Sequence, residues 1–399
     1  MIVRRFLFQI TRNSEVLKSL PIVRAYNTSE NRQKEEENLF ESTLENPQRA
    51  SKESPHEKLI RVAIVGVPNA GKSTLINTLA EHRICPVSSK VHTTRNFSRA
   101  ICVKDNTQIV FFDTPGLVKE REIKKHHLEK SFVSAYRHSI QNADLIAVLH
   151  DVSNRFTRDT LDKSVLEALH QYPKVPSILI LNKIDCLKSK RILLSLVGKL
   201  TKGYLNGEPF GDKFEKKSRR KKSAIQILDE LKRQEMPKKD EEQTAENPDV
   251  ENPRQKETGW DKFQQVFMVS ALNGDGVPKL TDFLCSEAKN KPWLFDADTY
   301  TDRTPEELIV QSVRAKLLDF LPQEIPYSLS CAMEFYTVEK GQIFASVLIT
   351  CPNKRIEKLV CGNGNGKLRQ ITEMITSDLI ETFEAPFSLT ISTKSKSKD

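Results

Sequence analysis

Gly66-Val67-Pro68-Asn69-Ala70-Gly71-Lys72-Ser73 follows an apolar run, L-I-R-V-A-I-V at 59–65, and leads into T-L-I-N-T-L at 74–79. The pattern is G-x-x-x-x-G-K-[ST] in the strand, loop and helix order that a phosphate-binding loop needs. Gly66 and Gly71 let the backbone curl so that successive N–H groups face an anion, and the helix that follows adds its positive end. Lys72 is expected to reach the β and γ phosphates, and the Ser73 hydroxyl to ligate Mg²⁺. Thr74 closes the candidate nucleotide-binding stretch, which spans 66–74.

Four more apolar runs lie beyond it: T-Q-I-V-F-F, D-L-I-A-V-L, S-I-L-I-L and Q-V-F-M-V. With little polar alternation, such runs suit strands covered by helices on both faces, so the fold class is α/β with a doubly wound, mostly parallel sheet. Three of the runs end in a candidate motif. Asp113-Thr114-Pro115-Gly116 places a carboxylate where it can hold Mg²⁺ and an amide where it can sense the γ-phosphate. In Asn182-Lys183-Ile184-Asp185, the Asp185 carboxylate can accept from guanine N1–H and the 2-amino group, a donor pair that adenine lacks. Ser270-Ala271-Leu272 would complete the base pocket through backbone contact to guanine O6. Together, in this order at strand ends, the motifs predict a GTP site.

After Pro292 a second unit begins. Thr304-Pro305-Glu306-Glu307 reads as a capped helix start, with Ile309, Val313, Leu317 and Phe320 as its buried stripe. Two alternating segments, Ser328 to Val338 and Gln342 to Thr350, predict strands about a turn at Glu339-Lys340-Gly341. Helices flank a glycine-rich turn at Gly362 to Gly366, and Phe387 to Ser392 reads as a last strand. The order is α-β-β-α-α-β, that of a KH module, whose interhelical loop clamps the backbone of about four nucleotides.

The nucleotide motifs resemble those of the Era family of GTPases, within the TrmE, Era and EngA group. Val91-His92-Thr93-Thr94-Arg95 is similar to the switch segment of that group, which implies Thr94 as the switch threonine on Mg²⁺ and γ-phosphate. The resemblance extends through T-D-R at 301–303, L-P-Q-E-I-P-Y-S-L at 321–329 and F-E-A-P-F at 383–387, and implies a type II KH domain. Asn69, Lys72 and Thr94 are the implied catalytic residues. Leu117 follows D-T-P-G where Ras-like enzymes carry a water-orienting glutamine, so hydrolysis needs another source of charge. Related enzymes with an asparagine at the position of Asn69 can hold K⁺ there. The G-x-x-G of a KH loop falls on Gly362-Asn363-Gly364-Asn365, with Gly366 one place late. Around it Lys354, Arg355, Lys358, Lys367 and Arg369 cluster against Glu357 alone, the distribution of a phosphate-reading surface. The resemblance implies an assembly factor for the small ribosomal subunit that binds its rRNA. A ribosome-associated module that holds GTP without useful turnover is the alternative from another class. A TrmE-like tRNA-modification enzyme is a third, opposed by the lack of a long helical domain or C-terminal cysteine motif.

The chain has 399 residues, a formal net charge of +9 and seven scattered cysteines without metal-ligand spacing. These values suit two domains, an anionic partner and reduced thiols. Residues 1–27 carry Arg4, Arg5, Arg12, Lys18 and Arg24 against Glu15, with apolar residues at helical spacing, and predict a mitochondrial presequence over a disordered basic tail. A polar linker is expected at 28–57, the GTPase domain at 58–295 with a charged insertion at about 201–258, the KH domain at 303–394 and a tail at 395–399. No apolar run is long enough to cross a bilayer. The expected setting is the mitochondrial matrix, as a monomer, with peripheral attachment to the inner membrane open through the basic blocks.

Overall fold

The computed structural model describes residues 57–87, 98–113, 137, 139–209, 258–322 and 325–396. The expected presequence, nearly all of the linker, Thr94 and its neighbours, Thr114 to Leu117 and 210–257 of the insertion lie outside these residues. All five predicted apolar runs form strands: β1 (Lys58–Val65), β3 (Thr107–Asp113), β4 (Leu145–Asp151), β5 (Ser177–Asn182) and β8 (Phe263–Met268). An additional strand, β2 (Ser98–Lys104), runs antiparallel to β3 at the edge of the sheet. The order is β2-β3-β1-β4-β5-β8, parallel from β3 onward.

Alternate residues of β1 feed two cores. Leu59, Ala63 and Val65 face one, with α2 (Lys163–Gln171) and α3 (Ile192–Leu200). Ile60, Val62 and Ile64 face the other, with α1 (Lys72–Ala80) and α4 (Val277–Glu287). This two-sided cover explains why the central runs are apolar throughout. The sheet therefore presents the carboxyl ends of β1, β3, β4 and β5 along one edge, where an open α/β sheet binds ligands.

The expected start of the insertion at about 201 falls inside ordered structure. Thr201 is fully buried, and a hairpin of β6 (Tyr204–Leu205) and β7 (Glu208–Pro209) follows it. The Asn206 amide donates to the Phe263 carbonyl of β8 at 2.8 Å, so the hairpin is tied to the sheet. On return, the Thr258 carbonyl accepts from the Leu161 amide at 2.9 Å, and the Trp260 amide donates to the Leu200 carbonyl at 2.8 Å. Thr201 and Trp260 thus both sit at the carboxyl end of α3.

Beyond the short β9 (Lys289–Asn290), the C-terminal unit has the expected element order. Thr304 caps α5 (Pro305–Phe320) in a reciprocal capping box with Glu307. Ile309, Val313 and Leu317 are buried as predicted, and Phe320 is half-buried against the same core. β10 (Ser330–Glu339) pairs antiparallel with β11 (Gln342–Cys351), which pairs parallel with β12 (Phe387–Ser395). α6 (Lys354–Cys361) and α7 (Gly366–Phe383) connect the last two strands and, with α5, cover one face of the sheet.

The two units meet through polar contacts. Thr301 and Asp302 bind the edge strand β2: the Thr301 hydroxyl donates to the Arg99 carbonyl at 2.9 Å, and the Asp302 carboxylate accepts from the Arg99 amide at 2.8 Å. Just after α1, Arg83 reaches Asp378 at 2.7 Å and Glu381 at 3.2 Å on α7. All seven cysteines are free thiols, and burial pushes Cys102 and Cys351 up to about 11.

Two glycines near the insertion give opposite expectations. A Cβ on Gly259 would lie 2.5 Å from the Leu200 carbonyl oxygen and 2.6 Å from that of Lys199, whereas one on Gly198, inside α3, would meet nothing within 4 Å. Gly259→Ala should cost ~1–3 kcal/mol through overpacking against backbone that cannot yield. Gly198→Ala should gain about 0.5–1 kcal/mol from reduced chain entropy. Urea midpoints of the two variants, compared with the parent, check both signs.

Candidate functional site

The loop after β1 is shaped by two close approaches. A Cβ on Gly66 would lie 2.6 Å from the Leu149 carbonyl oxygen of β4, and one on Gly71 would lie 2.4 Å from Asn182 Nδ2. Gly71 also takes φ +96°, which side chains disfavour, and starts α1 there. Between them Asn69 is left-handed, φ +61°, a conformation asparagine tolerates better than most residues. Ala70 is fully buried, and Ser73 and Thr74 occupy the first turn of α1. The Lys72 ammonium lies over the loop, donating to the carbonyls of Gly66 at 3.0 Å and Val67 at 3.1 Å.

Asn182 joins three of the predicted segments. Its buried carboxamide donates from Nδ2 to the Ala70 carbonyl at 2.8 Å and accepts at Oδ1 from the Ala271 amide at 3.0 Å. The next residue, Lys183, has φ +65° and turns its side chain back to the loop. Its ammonium donates to the Asn69 carbonyl at 2.7 Å and to Asp151 Oδ2 at 2.6 Å. Asp185 is exposed, and its carboxyl is held below the ordinary value, first by the Ser270 hydroxyl that donates to it. Ser270 is fully buried, Ala271 nearly so, and Leu272 is 78% exposed beside them. Asp113 ends β3 in register with Ile64 of β1, at the same sheet edge. Loop, guanine-type motif and the 270–272 turn thus form one surface, with an ionised carboxylate open to solvent.

Two participants carry no sequence motif. The Thr78 hydroxyl lies 2.6 Å from the Ala271 carbonyl, bracing the 270–272 turn against α1. Asp151 ends β4 beside Asn182 in register, and its other oxygen accepts from the Ser153 amide at 2.8 Å and hydroxyl at 2.6 Å. Its sequence signal is no more than an acid at the carboxyl end of a buried apolar run.

In the C-terminal unit the loop between α6 and α7 keeps a glycine-like backbone. Gly362, Gly364 and Asn365 all have positive φ, at 72°, 56° and 61°. Asn365 therefore adopts at the fourth loop position the left-handed conformation that glycine takes most easily. A Cβ on Gly362 would lie 2.6 Å from that of Lys367, so the first position is held to glycine. Asn363, Gly364, Asn365 and Gly366 are exposed, as are Lys354, Arg355, Lys358 and Arg369, while Lys367 is half-buried. Arg369 makes an exposed pair with Glu373 at 3.0 Å.

Residues 61–183 match the family model described as 50S ribosome-binding GTPase. The chain is 36% identical over 354 residues to "GTPase Era, mitochondrial" of Salmo salar, covering 86% of this chain and 77% of that one. It is 31% identical to the protein of the same name from Caenorhabditis elegans, over 83% of this chain and 88% of that one. Among solved structures it resembles Era in complex with MgGDPNP and nucleotides 1506–1542 of 16S ribosomal RNA. The identity is 21% and the TM-score 0.61, with 86% of this chain and 94% of the other covered. That level of identity speaks for the fold alone, and the fold includes both units. A nucleotide-type loop braced by Asn182, followed by a KH-type module, agrees with the sequence relatives, and the chain belongs to the Era family of GTPases.

Proposed function

We propose that this GTPase binds GTP with Mg²⁺ through residues 66–74, 113–116, 182–185 and 270–272, and holds small-subunit ribosomal RNA in its KH module during assembly of the mitochondrial small ribosomal subunit. The observation that carries the nucleotide reading is the Asn182 carboxamide, which holds the phosphate loop and the 270–272 turn at once. Asp185, exposed beside Ser270 and held below the ordinary carboxyl value by it, would accept the guanine donor pair. The residues fit the ligand: Gly66 and Gly71 pack so closely against Leu149 of β4 and Asn182 that a side chain at either would push the loop out of place.

In this reading Lys72 pairs with phosphate oxygens, whose negative charge holds an ammonium more strongly than uncharged carbonyls do. Ser73, Thr94 and Asp113 would hold Mg²⁺, which when bound offsets the negative charge of the β and γ phosphates. Thr94 would close over the γ-phosphate and relax after hydrolysis. With Leu117 in place of a glutamine, the Asn69 side chain would hold K⁺ next to the phosphates. Turnover should then be faster in K⁺ than in Na⁺, and Asn69→Ala should erase the difference. Equal phosphate release in both salts would remove K⁺ from the reading and leave GTP binding intact.

The RNA half is supported by the exposed loop at 363–366 and the cations around it. The solved Era relative was bound to a segment of 16S rRNA, and the curated relatives are named mitochondrial. Lys367→Glu with Arg369→Glu should weaken binding of a single-stranded small-subunit rRNA oligonucleotide by about tenfold or more. It should also lower the salt slope by ~0.7 for each phosphate that the variant no longer neutralises. A variant that binds as the parent does would reject this surface. Crosslinking in mitochondria that recovers no small-subunit rRNA would overturn the assembly role.

A further inference from the structure

Lysine is a poor positioning group unless something holds it, because its ammonium rides on four rotatable methylenes. Lys183 nonetheless has a defined place, between the Asn69 carbonyl at 2.7 Å and Asp151 Oδ2 at 2.6 Å. Asp151 is itself held. It is the last residue of β4, paired in register with Asn182, and the following amide of Val152 donates to the Asn182 carbonyl at 3.1 Å. Its side chain is only 17% exposed, and Oδ1 takes both the amide and the hydroxyl of Ser153. The carboxylate cannot swing without breaking two hydrogen bonds, so Oδ2 is fixed in space and Lys183 with it.

We infer that Asp151, backed by Ser153, is a positioning residue of the nucleotide site and acts through Lys183. The carboxylate fixes the ammonium, and the ammonium fixes the carbonyl of the left-handed Asn69 in the middle of the phosphate loop. Two elements that a nucleotide must span, the loop under the phosphates and the Asn182–Asp185 segment under the base, are thus clamped to each other by the protein's own contacts. Asn182 makes one such clamp through neutral hydrogen bonds, and Asp151–Lys183 makes a second, ionic one farther out. Preorganisation of this kind improves affinity by removing an ordering cost from the binding step. The inference rests on the nucleotide reading proposed above and extends it to a residue outside the motifs.

The test is a double-mutant cycle on the full chain with a fluorescent GDP analogue. Asp151→Ala should weaken binding by about tenfold, as expected for loss of a partly buried charged hydrogen bond. Lys183→Ala should weaken it comparably, and the double variant should be no worse than the weaker single one. Ser153→Ala, which leaves the backbone bond to Asp151 in place, should fall between parent and Asp151→Ala. In turnover the Asp151→Ala KM for GTP should rise while kcat changes by less than about threefold, the pattern of lost binding shared by ground and transition states. A purely architectural role would instead lower the urea midpoint without coupling to Lys183. If Asp151→Ala does not fold, Asp151→Asn and Ser153→Ala carry the same cycle with Lys183→Ala. Parent-like affinity, or effects that multiply in the double variant, would overturn the inference. Failure of the parent itself to bind the analogue would instead sink the nucleotide reading.

Discussion

The nucleotide surface depends on one buried carboxamide. Asn182 ends a fully buried, largely apolar strand, where an unpaired amide would be costly. Its two hydrogen bonds go to backbone atoms of two loops far apart in sequence, at Ala70 and Ala271. Both loops are short and irregular, and the second is held locally by a backbone bridge between Ser270 and Asp275. Satisfying one side chain therefore sets the position of both, and the same side chain comes within 2.4 Å of where a Cβ on Gly71 would stand. Glycine at 71 and asparagine at 182 are two halves of one packing constraint.

Much of this can be read from the residues because burial on both faces leaves a simple trace. β1, β3, β4, β5 and β8 are apolar runs with little alternation, and the loop motif falls where β1 ends. The edge strand β2 leaves a weaker trace, since Arg99 and Lys104 interrupt S-R-A-I-C-V-K and only part of it is buried. Thr201 to Pro209 read as part of the charged insertion because their composition is polar, yet Thr201 is buried and the hairpin bonds to β8. Asp151 and Thr78 cannot be singled out from the chain alone. Their partners come from other strands and loops, and no spacing along the sequence records those meetings.

The C-terminal module shows how a motif can depart in letters and keep its geometry. A glycine is expected at the fourth loop position because the backbone there turns left-handed. Asn365 takes that turn at φ 61°, and the chain enters α7 directly behind it. What Asn365 adds is a polar side chain on an exposed loop, directly in front of the N-terminus of α7. Among the described residues, the contacts between the module and the first domain include ion pairs and strand-edge hydrogen bonds, with Arg83 contacting both Asp378 and Glu381.

The described residues on either side of 210–257 are tied into the first domain by backbone hydrogen bonds, Asn206 to Phe263 of β8 on one side and Trp260 to Leu200 at the end of α3 on the other. The entropic cost of a longer loop between fixed ends grows only logarithmically, by about 0.6 kcal/mol for each doubling. Chain length between these two anchors can therefore change at small cost to the strands that carry them. For a lineage this is a socket: a position where new binding segments, localisation signals or regulatory stretches can be tried and discarded while the enzyme underneath keeps working. It is equally the place to splice a reporter or an affinity handle into this protein.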